Sequence, residues 1–149
     1  LKGIETLELR VNRQTKSAKD IVKYLKQSSK IGRIYYPTDS GFLQKQITKK
    51  QMIDGGSIIS FELKTLKEKE KKVTFSFLNK LKLTEISNNL GDSKTLITHP
   101  YTTTHHKLTS DEKISLRITK NLVRLSVGLE DSTDIIEDID NALKKVKNK

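Results

Sequence analysis

The spacing of apolar residues changes along the chain, and each change marks an element. From Leu122 to Leu129, aliphatic residues alternate with Arg, Ser and Gly. That is the two-residue period of a strand with one buried face. Val123, Leu125, Val127 and Leu129 share one face, while Leu122, Arg124, Ser126 and Gly128 share the other, so Arg124 points away from the aliphatic side. The strand pattern alone favours a solvent-facing arginine on an ordinary edge. At the other end of the chain, Ile4, Leu7, Val11, Ala18, Ile21, Val22 and Leu25 recur at three- and four-residue steps. They predict an amphipathic helix reaching residue 27 or so, roughly 40 Å long. It lacks a capping residue at its start and reads as the tail of a helix that continues upstream.

Between these two ends, strands and helices alternate. Ile31 to Tyr36 is a short strand stopped by Pro37, and Thr38-Asp39-Ser40-Gly41 is a turn. A polar helix over Phe42–Met52 ends at Asp54-Gly55-Gly56, a turn that needs positive φ. Ser57–Leu63 is a second strand, and Lys67–Leu81 is a helix turning Val73, Phe77, Leu78 and Leu81 inward. Leu83–Ser87 is a short strand leading into the polar loop 88–92, and Ser93–Ile97 reads as a helical turn broken by Pro100. Residues 101–106 are extended or looped, and Ser110 caps a short helix to Leu116. Ser132 to Val146 forms the last helix, with Ile135, Ile136, Ile139, Leu143 and Val146 on its apolar face. Acids at its start and lysines at its end complement the helix dipole. The expected fold is one α/β (α+β two-layer) domain, a small sheet with helices over one face.

Composition narrows the function classes. The chain has 149 residues and no cysteine, which excludes disulfides, thiol nucleophiles and thiolate metal sites. It has no apolar run long enough for a membrane span and no signal-peptide layout, which fits a cytoplasmic protein. A net charge of +11 raises nucleic acid as a partner. Yet 24 of the 29 basic residues are Lys, spread over the whole chain without aromatics between them, so nucleic-acid binding is disfavoured. His99, His105 and His106 are joined by no carboxylate or cysteine cluster, so no metal site is expected, and His99 and His105 are expected to make structural hydrogen bonds in the loop. Gly55-Gly56 precedes a strand rather than opening a helix, so it is no phosphate loop.

Leu122-Val123-Arg124-Leu125-Ser126-Val127-Gly128-Leu129-Glu130-Asp131 resembles a signature of the Cys/Met-metabolism family of pyridoxal-phosphate (PLP) enzymes. The resemblance continues in order along nearly the whole chain. It runs through Gly3 to Val11, Tyr35-Tyr36-Pro37, Gln51 to Phe61, Phe77 to Lys82, Asn89-Leu90-Gly91-Asp92, His99-Pro100 and Thr104-His105. It implies the C-terminal domain of a fold-type I PLP enzyme, with a mostly antiparallel sheet. Residues 1–27 would be the end of a long interdomain helix, residues 28–149 the domain itself, and the N-terminal PLP-binding domain would be absent. Within the family, Ser87 to Asp92 with Thr102 to His105 looks most like the O-succinylhomoserine sulfhydrylases. Cystathionine γ-synthase, cystathionine β-lyase and methionine γ-lyase are the alternatives.

The resemblance implies substrate-binding roles for three residues. Arg124 would hold the substrate's α-carboxylate, with Asn89 and Thr104 lining the carboxylate pocket. Read without the family, Asn89 and Thr104 make ordinary loop hydrogen bonds. No catalytic, PLP-binding or metal-binding residue is expected in this chain. The Thr-Lys pairs at Thr48-Lys49 and Thr119-Lys120 echo the motif of the PLP-carrying lysine, but neither is placed as that lysine. PLP would be bound by the absent domain, on the same or a separate chain, and the full enzyme would be a homotetramer acting on a small amino acid. The chain alone would then be inactive. Two readings of other classes remain, a stand-alone remnant or interaction module and a basic nucleic-acid-binding domain.

Overall fold

In the computed structural model, which describes residues 2–146, five strands form one sheet. They are β1 (Ile31–Tyr35), β2 (Ile58–Leu63), β3 (Glu85–Ile86), β4 (Leu96–Thr98) and β5 (Leu122–Ser126), in the order β1-β2-β5-β4-β3. All pairings are antiparallel except β3 with β4. The alternation seen in the sequence becomes two different faces. Ile59, Phe61, Leu63, Ile97, Val123, Leu125 and Val127 are almost wholly buried in one core. Helices α2 (Leu7–Gln27), α4 (Glu70–Leu78) and α6 (Ser132–Lys145) supply the other half of that core, through Ala18, Ile21, Leu25, Val73, Phe77, Ile135, Ile139 and Leu143. Full burial of each large aliphatic or aromatic side chain is worth about 1.5–3 kcal/mol, so this dry layer dominates stability. The expected two-layer α/β fold with a mostly antiparallel sheet is the observed one.

Several element boundaries differ from those the sequence predicts. Residues 93–97 are not a helical turn: Leu96–Thr98 is β4, paired to β5 on one side and β3 on the other. Five residues are too few to show a period, and the open edge of β5 decides their conformation. The long first helix breaks at Thr6, leaving α1 as Lys2–Glu5, and its buried side begins only at Gln14. Ile4, Leu7, Leu9 and Val11 are exposed, because the sheet ends before it reaches them.

The helix expected over 67–81 is a 3-10 turn (Lys67–Lys69) followed by α4, and the helix expected over 42–52 shrinks to α3 (Lys45–Gln51). The cap of α5 (Ser110–Ser115) is Thr109 rather than Ser110. Its hydroxyl accepts from the Glu112 N–H, and the Glu112 carboxylate accepts from the Thr109 N–H at 2.7 Å, a reciprocal capping box. Gly56 has φ +73°, as the turn required. No helix among the described residues is long and apolar enough to cross a membrane.

Candidate functional site

The pattern of the sequence placed Arg124 on an edge, whereas the structure places it on β5, the middle strand of the sheet. Its neighbours across the ladder are Ser60 on β2 and Thr98 on β4. Side chains directly opposite in a ladder share a face, so Arg124 rises between two small hydroxyl residues on the face away from the core. It is half-buried, and among the described residues no Asp or Glu pairs with it. Its Nη2 donates to the Asn88 carbonyl at 2.8 Å, while its Nε is buried without any partner.

The loop after β3 is laid over this face and tied down at four points. Besides the bond to Arg124, the Gly91 N–H donates to Ser126 Oγ at 2.9 Å. Gln14 Nε2 donates to the Asp92 carbonyl at 2.7 Å, and Thr98 Oγ1 donates to Asn88 Oδ1 at 2.8 Å. The turn after β4 is attached to the same hub, with Thr103 Oγ1 lying 3.0 Å from Thr98 Oγ1. Asn89 therefore stands directly after the residue Arg124 grips. It is exposed, and its own N–H donates to Ser87 Oγ at 3.3 Å. Thr104 follows Thr103, is exposed, and shares a 2.8 Å hydrogen bond with His105 Nδ1. The fold thus carries Asn89 and Thr104 on two loops that meet above Arg124, with no hydrogen bond from either to Arg124.

Sequence reasoning missed Asn88, Thr98 and Ser126 as parts of this arrangement. For Thr98 the signal was lost with β4 itself, since a helical turn has no cross-strand partner. Ser126 was legible as a polar residue sharing Arg124's face.

The corner after β5 explains why its motif ends in Gly-Leu-Glu-Asp. A Cβ at Gly128 would run into the Lys94 backbone and reach the Ser93 carbonyl oxygen at 2.5 Å. Only glycine lets the two chains approach this closely. The Glu130 carboxylate then accepts from the Thr95 N–H and hydroxyl, both at 2.7 Å, and Thr95 Oγ1 accepts from the Gly128 N–H at 2.9 Å. Asp131 caps α6 by accepting from the Thr133 N–H at 3.0 Å. These bonds fix β4 and its flanking loops against β5.

Beside Arg124, on the β2 side, the same face opens into a cleft of about 840 Å³. Arg33, Tyr35, Phe42, Ser60, Arg117 and Leu122 are among its lining residues. Tyr35 donates to Glu62 at 2.8 Å within this face. Arg117 has φ +57°, a left-handed conformation costly for a residue with a Cβ.

The histidines make structural hydrogen bonds, as the sequence suggested for His99 and His105. His99 is buried, and its Nε2 lies 2.9 Å from the Lys120 carbonyl, which can only accept. Nε2 therefore carries the proton, and Nδ1 accepts from Thr102 Oγ1 at 2.8 Å. Burial holds this imidazole below its ordinary pKa, and the nearby Lys71 adds to that, against the opposing effect of the Lys120 bond. His106 Nδ1 meets the Thr103 carbonyl at 2.7 Å. Among the described residues no cluster of His, Asp or Glu could hold a metal ion.

Chemically, Arg124 is suited to a carboxylate. Its planar guanidinium carries donors in a fixed fork that matches the two oxygens of a carboxylate. A half-buried cation without a counterion and with an unpaired buried donor is costly unless an anion completes it. Lys49 and Lys120 are exposed, and the buried Lys113 already places its ammonium over the Tyr101 ring, near the His106 carbonyl.

The chain is similar to known proteins in sequence and in fold. The sequence model of the family described as Cys/Met metabolism PLP-dependent enzymes matches residues 1–144. An L-methionine gamma-lyase of Fusobacterium nucleatum is 44% identical over 98% of this chain and 36% of its own length. An O-succinylhomoserine sulfhydrylase of Mycobacterium tuberculosis is 41% identical over 96% of this chain and 35% of its own length. A crystal structure from Campylobacter jejuni, described as a candidate O-acetylhomoserine (thiol)-lyase with N′-pyridoxyl-lysine-5′-monophosphate, superposes with a TM-score of 0.90 at 33% identity. That match covers 97% of this chain and 34% of the other. The chain therefore spans about a third of the length of the curated relatives it matches.

Proposed function

This chain belongs to the Cys/Met metabolism PLP-dependent enzyme family, and from that premise we propose that it forms the substrate-carboxylate side of such an enzyme's active site. Arg124 is the anchor, and Asn89 and Thr104 line the pocket around it. PLP, when bound, supplies the electron sink for bond breaking next to the substrate's α-carbon. In this reading PLP is held by a preceding N-terminal domain, and residues 1–27 form the end of the helix that leads from it. The exposed Ile4, Leu7, Leu9 and Val11 support that arrangement, since they want an apolar cover. The assembled enzyme would be a cytoplasmic homotetramer.

The observation that carries the proposal is the Arg124 guanidinium, half-buried on the central strand, with an unpartnered Nε and, among the described residues, no ion pair to a carboxylate. An α-carboxylate held by this guanidinium would fix the amino acid's orientation in the site. The substrate we infer is an L-amino acid with a leaving heteroatom at its γ-carbon. Methionine and O-succinylhomoserine, named in the relatives' descriptions, share that chemistry. Among these we favour O-succinylhomoserine with replacement by a sulfur nucleophile, on the resemblance of Ser87 to Asp92 and Thr102 to His105. A thiol product from added sulfide would support replacement, and α-keto acid without sulfide incorporation would support a lyase.

The anchor itself is tested in the PLP-loaded enzyme that contains this chain. Arg124→Ala should raise KM for the amino acid by about 100-fold, the scale of two charge-assisted hydrogen bonds. Arg124→Lys, which keeps the charge but loses the fork, should fall between. Unchanged KM and turnover in Arg124→Ala would falsify the assignment.

A further inference from the structure

Thr98 is the point at which the two loops around Arg124 are joined. It is 1% exposed, lies directly opposite Arg124 in the β4–β5 register, and sends its hydroxyl into the gap between the loops. The oxygen lies 2.8 Å from Asn88 Oδ1 and 3.0 Å from Thr103 Oγ1. The amide oxygen of Asn88 can only accept, so the Thr98 proton goes there. The 3.0 Å contact is then a hydrogen bond only if Thr103 donates to Thr98. Thr103 Oγ1 also lies 2.9 Å from the His99 carbonyl, so its single proton faces two acceptors on the same turn. Thr98 therefore stands between the two loops. It donates to Asn88, whose main-chain carbonyl Arg124 Nη2 holds at 2.8 Å. Its oxygen lies against the Thr103 hydroxyl, which shares its one proton between Thr98 and the His99 carbonyl.

We propose that Thr98 is a positioning residue for the carboxylate site, setting the distance between the Asn89 loop and the Thr104 turn through this one hydroxyl. The inference rests on the reading of Arg124 given above. Asn88 is fixed at both ends, its carbonyl by Arg124 and its amide by Thr98, so the next residue, Asn89, has little freedom of its own. Thr104 follows Thr103, whose hydroxyl touches Thr98 at 3.0 Å and the His99 carbonyl at 2.9 Å. A substrate that meets Arg124, Asn89 and Thr104 together therefore meets a spacing set by a residue it does not touch. Removing the hydroxyl leaves Arg124 in place but lets the loops separate. The expected loss is in ground-state binding rather than in the chemical step.

The test is a set of variants in the PLP-loaded enzyme containing this chain. Thr98→Val keeps the shape and removes the hydroxyl, and Thr98→Ser keeps the hydroxyl. We expect Thr98→Val to raise KM for the amino acid about 5- to 10-fold, the scale of one neutral hydrogen bond, with kcat changed less than about twofold. Thr98→Ser should restore the wild-type KM. Asn88→Ala removes the same bond from the exposed side, so it keeps the question open to measurement should Thr98→Val fold poorly. It should raise KM similarly, and the double variant should be no worse than either single one.

A readout independent of turnover is the absorbance change of the PLP-loaded enzyme containing this chain, titrated with L-homoserine. Its half-saturation point should move to higher concentration in Thr98→Val by the same factor. If Arg124→Ala raises KM while Thr98→Val and Asn88→Ala leave it unchanged, the positioning role is wrong and the anchor stands. A fall in kcat at constant KM would likewise overturn it. If Arg124→Ala itself has no effect, the underlying reading fails first.

Discussion

Gly128 shows how much one atom decides. It follows the apolar alternation and could be taken for a neutral spacer, yet its missing Cβ is what lets Lys94 and Ser93 pack against the strand. Besides the Glu130 carboxylate, the obstacles are main-chain atoms of Ser93 and Lys94, which cannot swing aside as a side chain would. Gly128→Ala should therefore cost about 3 kcal/mol or more of stability, measured by urea unfolding. A loss under about 1 kcal/mol would mean that the corner relaxes easily. Arg124 makes the complementary point. Its orientation on the strand was legible from alternation, but its lack of a counterion was not, because no local pattern says which carboxylates fold nearby. The resemblance named its role, and the geometry around it is what a carboxylate would complete.

At the level of elements, α6 does more than cover the sheet. Asp138 sits on its buried side among Ile135, Ile139 and Ala142. Its carboxylate accepts from the N–H groups of Lys82, Leu83 and Thr84, at 2.8, 3.1 and 2.9 Å. One side chain thus satisfies three main-chain donors where the chain turns from α4 toward β3. Asp138→Ala would leave those donors without their acceptor, and we expect a loss of about 2–4 kcal/mol in chemical denaturation. Asp138→Asn should recover part of it, since its amide keeps one accepting oxygen but sets an NH₂ against a donor. A variant as stable as wild type would show that water replaces the carboxylate freely. The far end of α6 is closed by Lys30, whose ammonium meets the carbonyls of Leu143 and Val146 at 2.6 and 3.0 Å. Neither partnership was visible in the helix's own pattern. The sequence marked the apolar stripe and left Asp138 as an interruption in it.

For the whole molecule, buried His99 ties stability to pH. It bridges Thr102 and the Lys120 carbonyl and packs edge-on against Phe75, with ring centroids 5.3 Å apart. Because its pKa is lowered in the fold, the unfolded chain binds the extra proton as pH falls through the ordinary histidine value of about 6.5. Stability should accordingly be full above that value and decline below it, down toward the folded pKa. Glu112 and Asp131, held low by the Thr109 and Thr133 backbone N–H groups, act in a separate and more acidic window near the ordinary carboxylate values. Thermal melting between pH 7.5 and 5.5 should fall in wild type and stay flatter in His99→Gln. Parallel curves for the two would assign the decline to other groups.

The sequence by itself determined the alternation of strands and helices, the identity of the buried face of β5, the apolar stripes of α2 and α6, and the family. These are periodic or ordered patterns, written locally and readable without knowing what lies opposite. Tertiary structure decided what depends on a partner distant in the chain. Residues 93–97 held too few positions to show a period, so pairing with β5 made part of them a strand. The N-terminal stripe through Ile4 and Val11 found no surface to cover, because the sheet stops short of it. Arg124 moved from a presumed edge to the centre because β4 and β2 both paired with its strand. Its site, two loops drawn together over a single arginine, exists only where those pairings bring Thr98 and Asn88 across the sheet to meet it.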